Sequence, residues 1–292
     1  MAAMSDRGGL SSGGAHIESP PVLNGVSGAE DWLWLHLRDL PAFRALLRAV
    51  ESSFYADLPL ERPILDLGCG DGHFGSVTFP RGLDVGFDPW LKPLREATRQ
   101  RGHAYRMLSQ ADGSQMPFAD HSFATVISNS VLEHIPDVMP VLREVTRVLQ
   151  PGGRFYFCVP GPMFLPYLSV GRLLDQVGLR LLGDAYRRFF NRISRHHHCD
   201  GAEVWASRLT ACGLVLDRAW TYFPRSAVAA LEWGHYLGLP SAVSKALMGR
   251  WVLAPVRANL RLTELLVRPA FRRSLEANTD EGAYLFVVAR RP

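Results

Sequence analysis

Cysteine is scarce: the 292 residues hold four (Cys69, Cys158, Cys199, Cys212), widely spaced and never paired as CxxC. That excludes a disulfide framework and a zinc ribbon and fits a reducing compartment. Long apolar runs are missing too. No stretch of about eighteen residues is free of both charge and proline, which argues against a membrane-spanning helix. The opening MAAMSDRGGLSSGGAHIESPP lacks the apolar run of a secretory signal, so a cytoplasmic chain is expected. No internal repeat is visible. Charged residues make up only 21% against 47% apolar ones, the balance of a folded globular chain. At this length a sizeable core needs no covalent staples.

Charge of one sign is also missing where it would be expected. Residues 161–198 carry a formal +4 and residues 225–273 carry +6, so the remainder of this +4 chain carries −6. Two basic, apolar segments therefore sit on an acidic body. Such asymmetry bears on partners rather than on fold.

Residues 1–29 are rich in glycine and serine without periodicity and read as a flexible, disordered tail ahead of a single domain over 30–292. Helical spacing runs from Asp31 to about Tyr55, with Pro41 suited to a first helical turn. Short β-rich runs then alternate with helical ones. PILDL leads into a glycine loop, GLDVGFD ends on Asp88, ATVIS follows, and PGG at 151–153 is read as the stop between a helix and the strand RFYFCV. Asp200 with Glu203 is a capping-box-like helix start, Gly213 an end, and LVLDRAWTYF and AYLFVVAR are late strands. This alternation predicts an α/β fold with a mostly parallel sheet and helices on both faces.

The strand, glycine turn and helix form a nucleotide-binding start, because glycine lets a ligand approach the backbone and the helix offers free N–H groups. GDGHFG at 70–75 formally satisfies GxGxxG, and Asp88 follows where an acid can hold ribose hydroxyls. A nicotinamide-dependent oxidoreductase is thus one reading. Asp66, just before the glycines, speaks against it: a carboxylate there repels a pyrophosphate but suits a ligand bearing an ammonium, as S-adenosylmethionine does.

At this point DLGCGDG, then FD at Phe87 and Asp88, then QADGSQMPFADHSFATVISNSVLEHIPD and LREVTRVLQPGGRFYF together resemble the class I S-adenosylmethionine-dependent methyltransferases. The nearest branch is the type 11 methyltransferase domain, related to ubiquinone and menaquinone biosynthesis enzymes. The resemblance covers roughly residues 60–160, the cofactor-binding core. It implies a Rossmann-like seven-stranded sheet, six strands parallel and the last antiparallel. It also implies that Asp66, Gly68, Cys69 and Gly70 meet the methionine end of the cofactor, Cys69 being a small filler in that loop. Asp88 would hold the ribose and Pro89 would pack near the adenine, whose amine Asp112 accepts from beside Gly113. Ser128 and Asn129 would line the methionine side.

Methyl transfer from a sulfonium is an in-line displacement that positioning alone can drive, and a base is needed only if the acceptor must lose a proton. Candidates for that base are His134 in LEHIPD and, from the triplet His196, His197, His198, the residues His196 and His198; the alternative reading of the triplet is a solvated, loop-borne cluster. No metal site is expected, since adjacent histidines cannot all point at one ion.

The basic segments 161–198 and 225–275 read as helical inserts that cap the acceptor side. Leu, Trp and Phe mixed with arginine suit either a lid packed on the core or helices lying peripherally on a membrane surface. No RNA or DNA module accompanies the arginines, so nucleic acid is not an expected partner. The reading as a whole is methyl transfer from S-adenosylmethionine to a small-molecule or lipid-linked acceptor. The oxidoreductase and a non-catalytic cofactor-binding protein are the alternatives.

Overall fold

The computed structural model describes residues 31–56, 58–275 and 281–292; the tail read over 1–29 lies outside them. The first helical stretch is two helices, α1 (Trp32–Leu37) and α2 (Ala42–Ala56), broken at Leu40 and Pro41. Asp31 caps α1 by accepting a hydrogen bond from the Trp34 N–H.

The core then runs β1 (Ile64–Leu67), α3 (His73–Thr78), β2 (Leu83–Asp88), α4 (Leu91–Arg101), β3 (Tyr105–Gln110), β4 (Phe123–Asn129), α5 (Met139–Val148) and β5 (Leu149–Pro160). The first insert follows as α6 (Ser169–Gln176) and α7 (Arg180–Ser194), then α8 (Ala202–Ala211) and β6 (Val215–Tyr222). The second insert is α9 (Arg225–Leu237), α10 (Leu239–Met248) and α11 (Arg257–Leu275), and β7 (Tyr284–Arg290) closes the fold.

The seven strands lie in the order β3-β2-β1-β4-β5-β7-β6. All ladders are parallel except the two made by β7, which runs antiparallel to both β5 and β6. The chain steps outward from β1 to β3 and then returns to place β4 on the other side of β1. This reversal opens a crevice at the carboxyl ends of β1 and β4, where open α/β sheets bind ligands.

Side-chain alternation splits the core into two layers. On β5, Phe155, Phe157 and Val159 face one layer with Leu142, Val145 and Trp205. Tyr156 and Cys158 face the other, with Leu46, Phe54, Tyr55 and Trp220. Both faces are covered, which is why the central strands read as continuous apolar runs. Trp220 is fully buried and stacks on Phe286 with centroids 4.4 Å apart.

The two inserts form one cap. Glu232 on α9 is buried and accepts hydrogen bonds from the Ser169 N–H at the start of α6 and from the Tyr186 hydroxyl on α7. Arg268 of α11 reaches back to Asp31 at 2.7 Å, tying the second insert to α1.

Two local expectations are corrected. The glycine pair does not separate α5 from its strand: β5 begins at Leu149 and bulges through Gly152 and Gly153, where the register moves from Phe123↔Leu149 to Thr125↔Arg154. A Cβ on Gly153 would stand 2.8 Å from the Gln150 carbonyl oxygen, so only glycine admits this close passage. Asp200 does not cap α8, whose N-cap is Gly201. Arg208 draws the Asp200 carboxylate into an ion pair at 2.7 Å instead.

Replacing Trp220 by alanine removes the largest aromatic contact between β6 and β7. We expect urea denaturation to show a loss of roughly 3–5 kcal/mol, with the fold retained.

Candidate functional site

Asp66 is the third residue of β1 and is buried. Its Oδ2 accepts a 2.6 Å hydrogen bond from the Tyr105 hydroxyl, which comes from β3, two strands away. To reach it, the tyrosine ring crosses β2 at Gly86 and covers the glycine loop at Gly75. A Cβ on Gly86 would lie 2.7 Å from the ring carbons, and one on Gly75 would lie 2.1 Å from the hydroxyl oxygen. The last glycine of GDGHFG therefore makes room for a tyrosine of its own chain. Burial pushes the Asp66 carboxyl up to about 6; the Tyr105 hydrogen bond and nearby Arg48 hold it from rising further, while Asp88 pushes it up. Its Oδ1 has no hydrogen-bond donor among the described residues, so the carboxylate retains capacity for a ligand.

Asp88 ends β2. Its Oδ2 accepts from the Gly70 N–H at 3.1 Å and its Oδ1 from the Trp90 N–H at 2.9 Å. Burial raises its pKa, and these two bonds, which favour the charged form, oppose that rise. They also fix the glycine loop to the end of β2.

A cleft of about 350 Å³ brings together Asp66, Gly68, Cys69, Gly70 and Asn129 of the sequence-derived set. Asp88 adjoins it through Gly70, and Pro89 lies exposed beyond, its carbonyl accepting from Gln110. Asp112 is exposed, and its Oδ1 accepts from both the N–H and the hydroxyl of Ser114. Gly113 beside it packs toward Val141. Ser128 is fully buried and donates to the Leu67 carbonyl, which places it behind the cleft.

Sequence reasoning missed the groups that hold this cleft together. Glu51 on α2 is fully buried and accepts from Arg48 and the Asn129 amide, each at 2.9 Å. It also accepts from the Ser130 hydroxyl at 3.2 Å and the Tyr222 hydroxyl at 2.9 Å. Arg44 and Arg48 line the cleft as well. Arg48 is paired with Glu51, whereas Arg44 has no ion pair among the described residues and lies over the Trp251 ring at 5.7 Å. The only local signal was an acid followed by two serines, Glu51 to Ser53, on a helix otherwise rich in apolar residues.

A second chamber of about 610 Å³ adjoins the first and shares Arg44, Arg48, Ser130 and Trp251 with it. Its apolar walls include Phe43, Leu47, Phe164 and Leu231; its polar side holds Glu133, His134 and His196. Burial drives the Glu133 carboxyl up to about 8. Burial, with His134 and His235 nearby, drives His196 down to about 3. His134 is lowered by burial too, against the Arg195 carbonyl that its Nδ1 meets at 3.1 Å. His198 lies apart, bonded to the Ile135 carbonyl at 2.9 Å and facing Asp200 at 3.6 Å. The histidine triplet thus acts as three separate residues, and only its first reaches the chamber. The expectation of no metal set rested on that triplet; the fold instead brings Glu133 and His134 up to His196.

Comparison with known proteins bears on the core. Residues 65–157 match the family model described as a methyltransferase domain. Malonyl-[acyl-carrier protein] O-methyltransferase of Legionella pneumophila is 35% identical over 105 residues, 35% of this chain and 37% of that protein. The 27-O-demethylrifamycin SV methyltransferase of Amycolatopsis mediterranei is 31% identical over 110 residues, 34% of this chain and 40% of that protein. The chain thus aligns with well under half the length of these relatives. Among solved structures, the [4+2]-cyclase SpnF superposes with a TM-score of 0.50 at 18% identity, over 85% of this chain and 82% of that one. At that identity the likeness speaks for the fold alone.

The acidity of Asp66 has a measurable consequence. Its raised value means the carboxyl is neutral below about pH 6 and gains the charge that an ammonium requires as pH rises through that value. Calorimetric affinity for S-adenosylhomocysteine is therefore expected to strengthen between pH 5 and pH 7.5. Tyr105→Phe removes a hydrogen bond that favours the charged form, so the rise moves to higher pH and binding at pH 6.5 weakens by about 1–3 kcal/mol.

Proposed function

We propose that this chain, built around a class I S-adenosylmethionine-dependent methyltransferase core, transfers a methyl group from that cofactor to a small-molecule or lipid-linked acceptor in the adjoining chamber. The observation that carries this reading is the meeting of cleft and chamber at Arg44, Arg48, Ser130 and Trp251. An acceptor on one side and a methyl donor on the other come together there.

The donor set suits the zwitterionic methionine end of the cofactor. Asp66 offers a carboxylate oxygen to the ammonium, and unpaired Arg44 offers a guanidinium to the carboxylate. Asp88 retains lone pairs for the ribose hydroxyls beyond its two backbone bonds. Pro89, Asp112 and Gly113 lie along the same edge of the sheet, on the side expected for the adenine. Bound there, S-adenosylmethionine supplies an electrophilic methyl on a sulfonium. The chain's own contribution is orientation: Glu51 fixes Arg48, Asn129 and Ser130 where the two spaces meet. The oxidoreductase reading fares worse, because a pyrophosphate would face the carboxylate of Asp66.

The chamber walls suit an acceptor with an apolar body. The cap also exposes apolar side chains beside its arginines: Leu181 is 85% exposed on α7, Leu247 78% on α10 and Leu266 70% on α11. No helix among the described residues is long and apolar enough to cross a membrane. Cationic and apolar residues on one cap favour peripheral contact with an anionic lipid surface.

Labelled methyl from S-adenosylmethionine, supplied with an extract of the source cells, tests the reading. Transfer into the organic phase supports a lipid-linked acceptor, and transfer into the aqueous phase a soluble one. Cofactor binding with no transfer to any component counts for the binding-only alternative. In a separate assay, we expect the chain to co-sediment with phosphatidylglycerol vesicles at low salt and to be released as salt is raised. Equal binding to neutral vesicles would remove the electrostatic part of the argument.

A further inference from the structure

The loop after β4 and the end of α7 meet along one wall of the chamber. Arg195, with φ of +57°, terminates α7 in a left-handed turn and redirects the chain so that His196 enters the chamber. Two hydrogen bonds lock the segments together: the His197 N–H donates to the Glu133 carbonyl at 2.7 Å, and His134 Nδ1 meets the Arg195 carbonyl at 3.1 Å. With its proton on Nδ1 for that bond, His134 presents Nε2 as a lone pair. Carbonyl-held imidazole of this kind is the usual outer support of a metal-ligating histidine.

Each of Glu133, His134 and His196 offers a ligand atom, and the three atoms lie within 4.8 Å of one another. The carboxylate carries an independent sign that something belongs there. Glu133 is 1% exposed and its Oε2 has no hydrogen-bond partner among the described residues, while Oε1 stands 3.8 Å from His134 Nε2. A carboxyl buried to that degree is normally paired or coordinated. Arg48 does not serve: its guanidinium is bound to Glu51 and to the Asn129 carbonyl.

We propose that Glu133, His134 and His196 form a binding site for a divalent transition-metal ion of the zinc class. Two imidazoles and one carboxylate are a nitrogen and oxygen set that such ions favour over magnesium or calcium. Three protein ligands leave the ion an open position toward the chamber, available to an oxygen of whatever occupies it. Metal binding itself involves neither the cofactor nor the acceptor, so the site stands or falls apart from methyl transfer.

The test uses the full chain freed of metal by chelation, titrated with Zn²⁺ against a chromophoric competitor and with Co²⁺ read by its visible absorption. One ion per chain with micromolar or tighter affinity is expected, and Co²⁺ should give a spectrum of low coordination number. Glu133→Gln and His196→Ala should each weaken binding about tenfold or more. Affinity for S-adenosylhomocysteine and the melting temperature show whether each variant is folded. His197→Gln, which alters an exposed neighbour, should leave metal binding unchanged. Absence of stoichiometric binding by the folded wild-type chain would overturn the proposal. So would binding that survives in folded His196→Ala and Glu133→Gln but is lost in His197→Gln, since that marks a surface histidine contact.

Discussion

A carboxylate kept almost out of water at the end of a parallel sheet needs a donor, and Asp66 receives one from Tyr105. The rest of the cleft is arranged around that contact. The ring that carries the hydroxyl lies across β2, so β2 must have no side chain at Gly86 and the helix start none at Gly75. Leaving Asp66 charged and unbonded would cost several kcal/mol. With one oxygen satisfied and the other still without a donor, the group stays close to its titration point and can be charged by a cationic ligand.

Glu51 plays the corresponding part on the other side of the junction. Four donors, from α2, the end of β4, the loop after it and β6, converge on its two oxygens. Such a fully satisfied buried carboxylate orients its partners more than it adds net stability. It joins the N-terminal helices to the sheet exactly where cleft and chamber meet, so the N-terminal segment belongs to the site and not merely to its surroundings. Arg44, about two turns before Glu51 on the same helix, has no ion pair among the described residues.

Element order was legible in the sequence because most strands are apolar runs set off by glycine, proline or serine, and because both sheet faces are covered. That the last strand runs antiparallel came from resemblance to known folds; its insertion between β5 and β6 has no local signal in the sequence. The glycine loop and its two flanking acids were equally legible. Tyr105 and Glu51 were not: YRMLSQ says only strand and AVESSF only helix, and their contacts span 39 and 171 residues of chain. The histidine triplet misled for the opposite reason. Adjacency in sequence suggested one cluster, but a left-handed residue at Arg195 sends the three side chains to different neighbours. Asp200 shows the same limit, because an arginine two turns along the helix outweighed its capping role.

The central claim is that the Asp66–Tyr105 pair selects a ligand with an ammonium and excludes a dinucleotide. Calorimetric titration of the full chain with S-adenosylhomocysteine and, separately, with NADH tests it most directly, using Asp66→Asn as the comparison. One-to-one binding of S-adenosylhomocysteine that is lost in Asp66→Asn, with no heat from NADH, is the outcome the proposal predicts. Saturable NADH binding by the wild-type chain, unchanged or strengthened in Asp66→Asn, would contradict it.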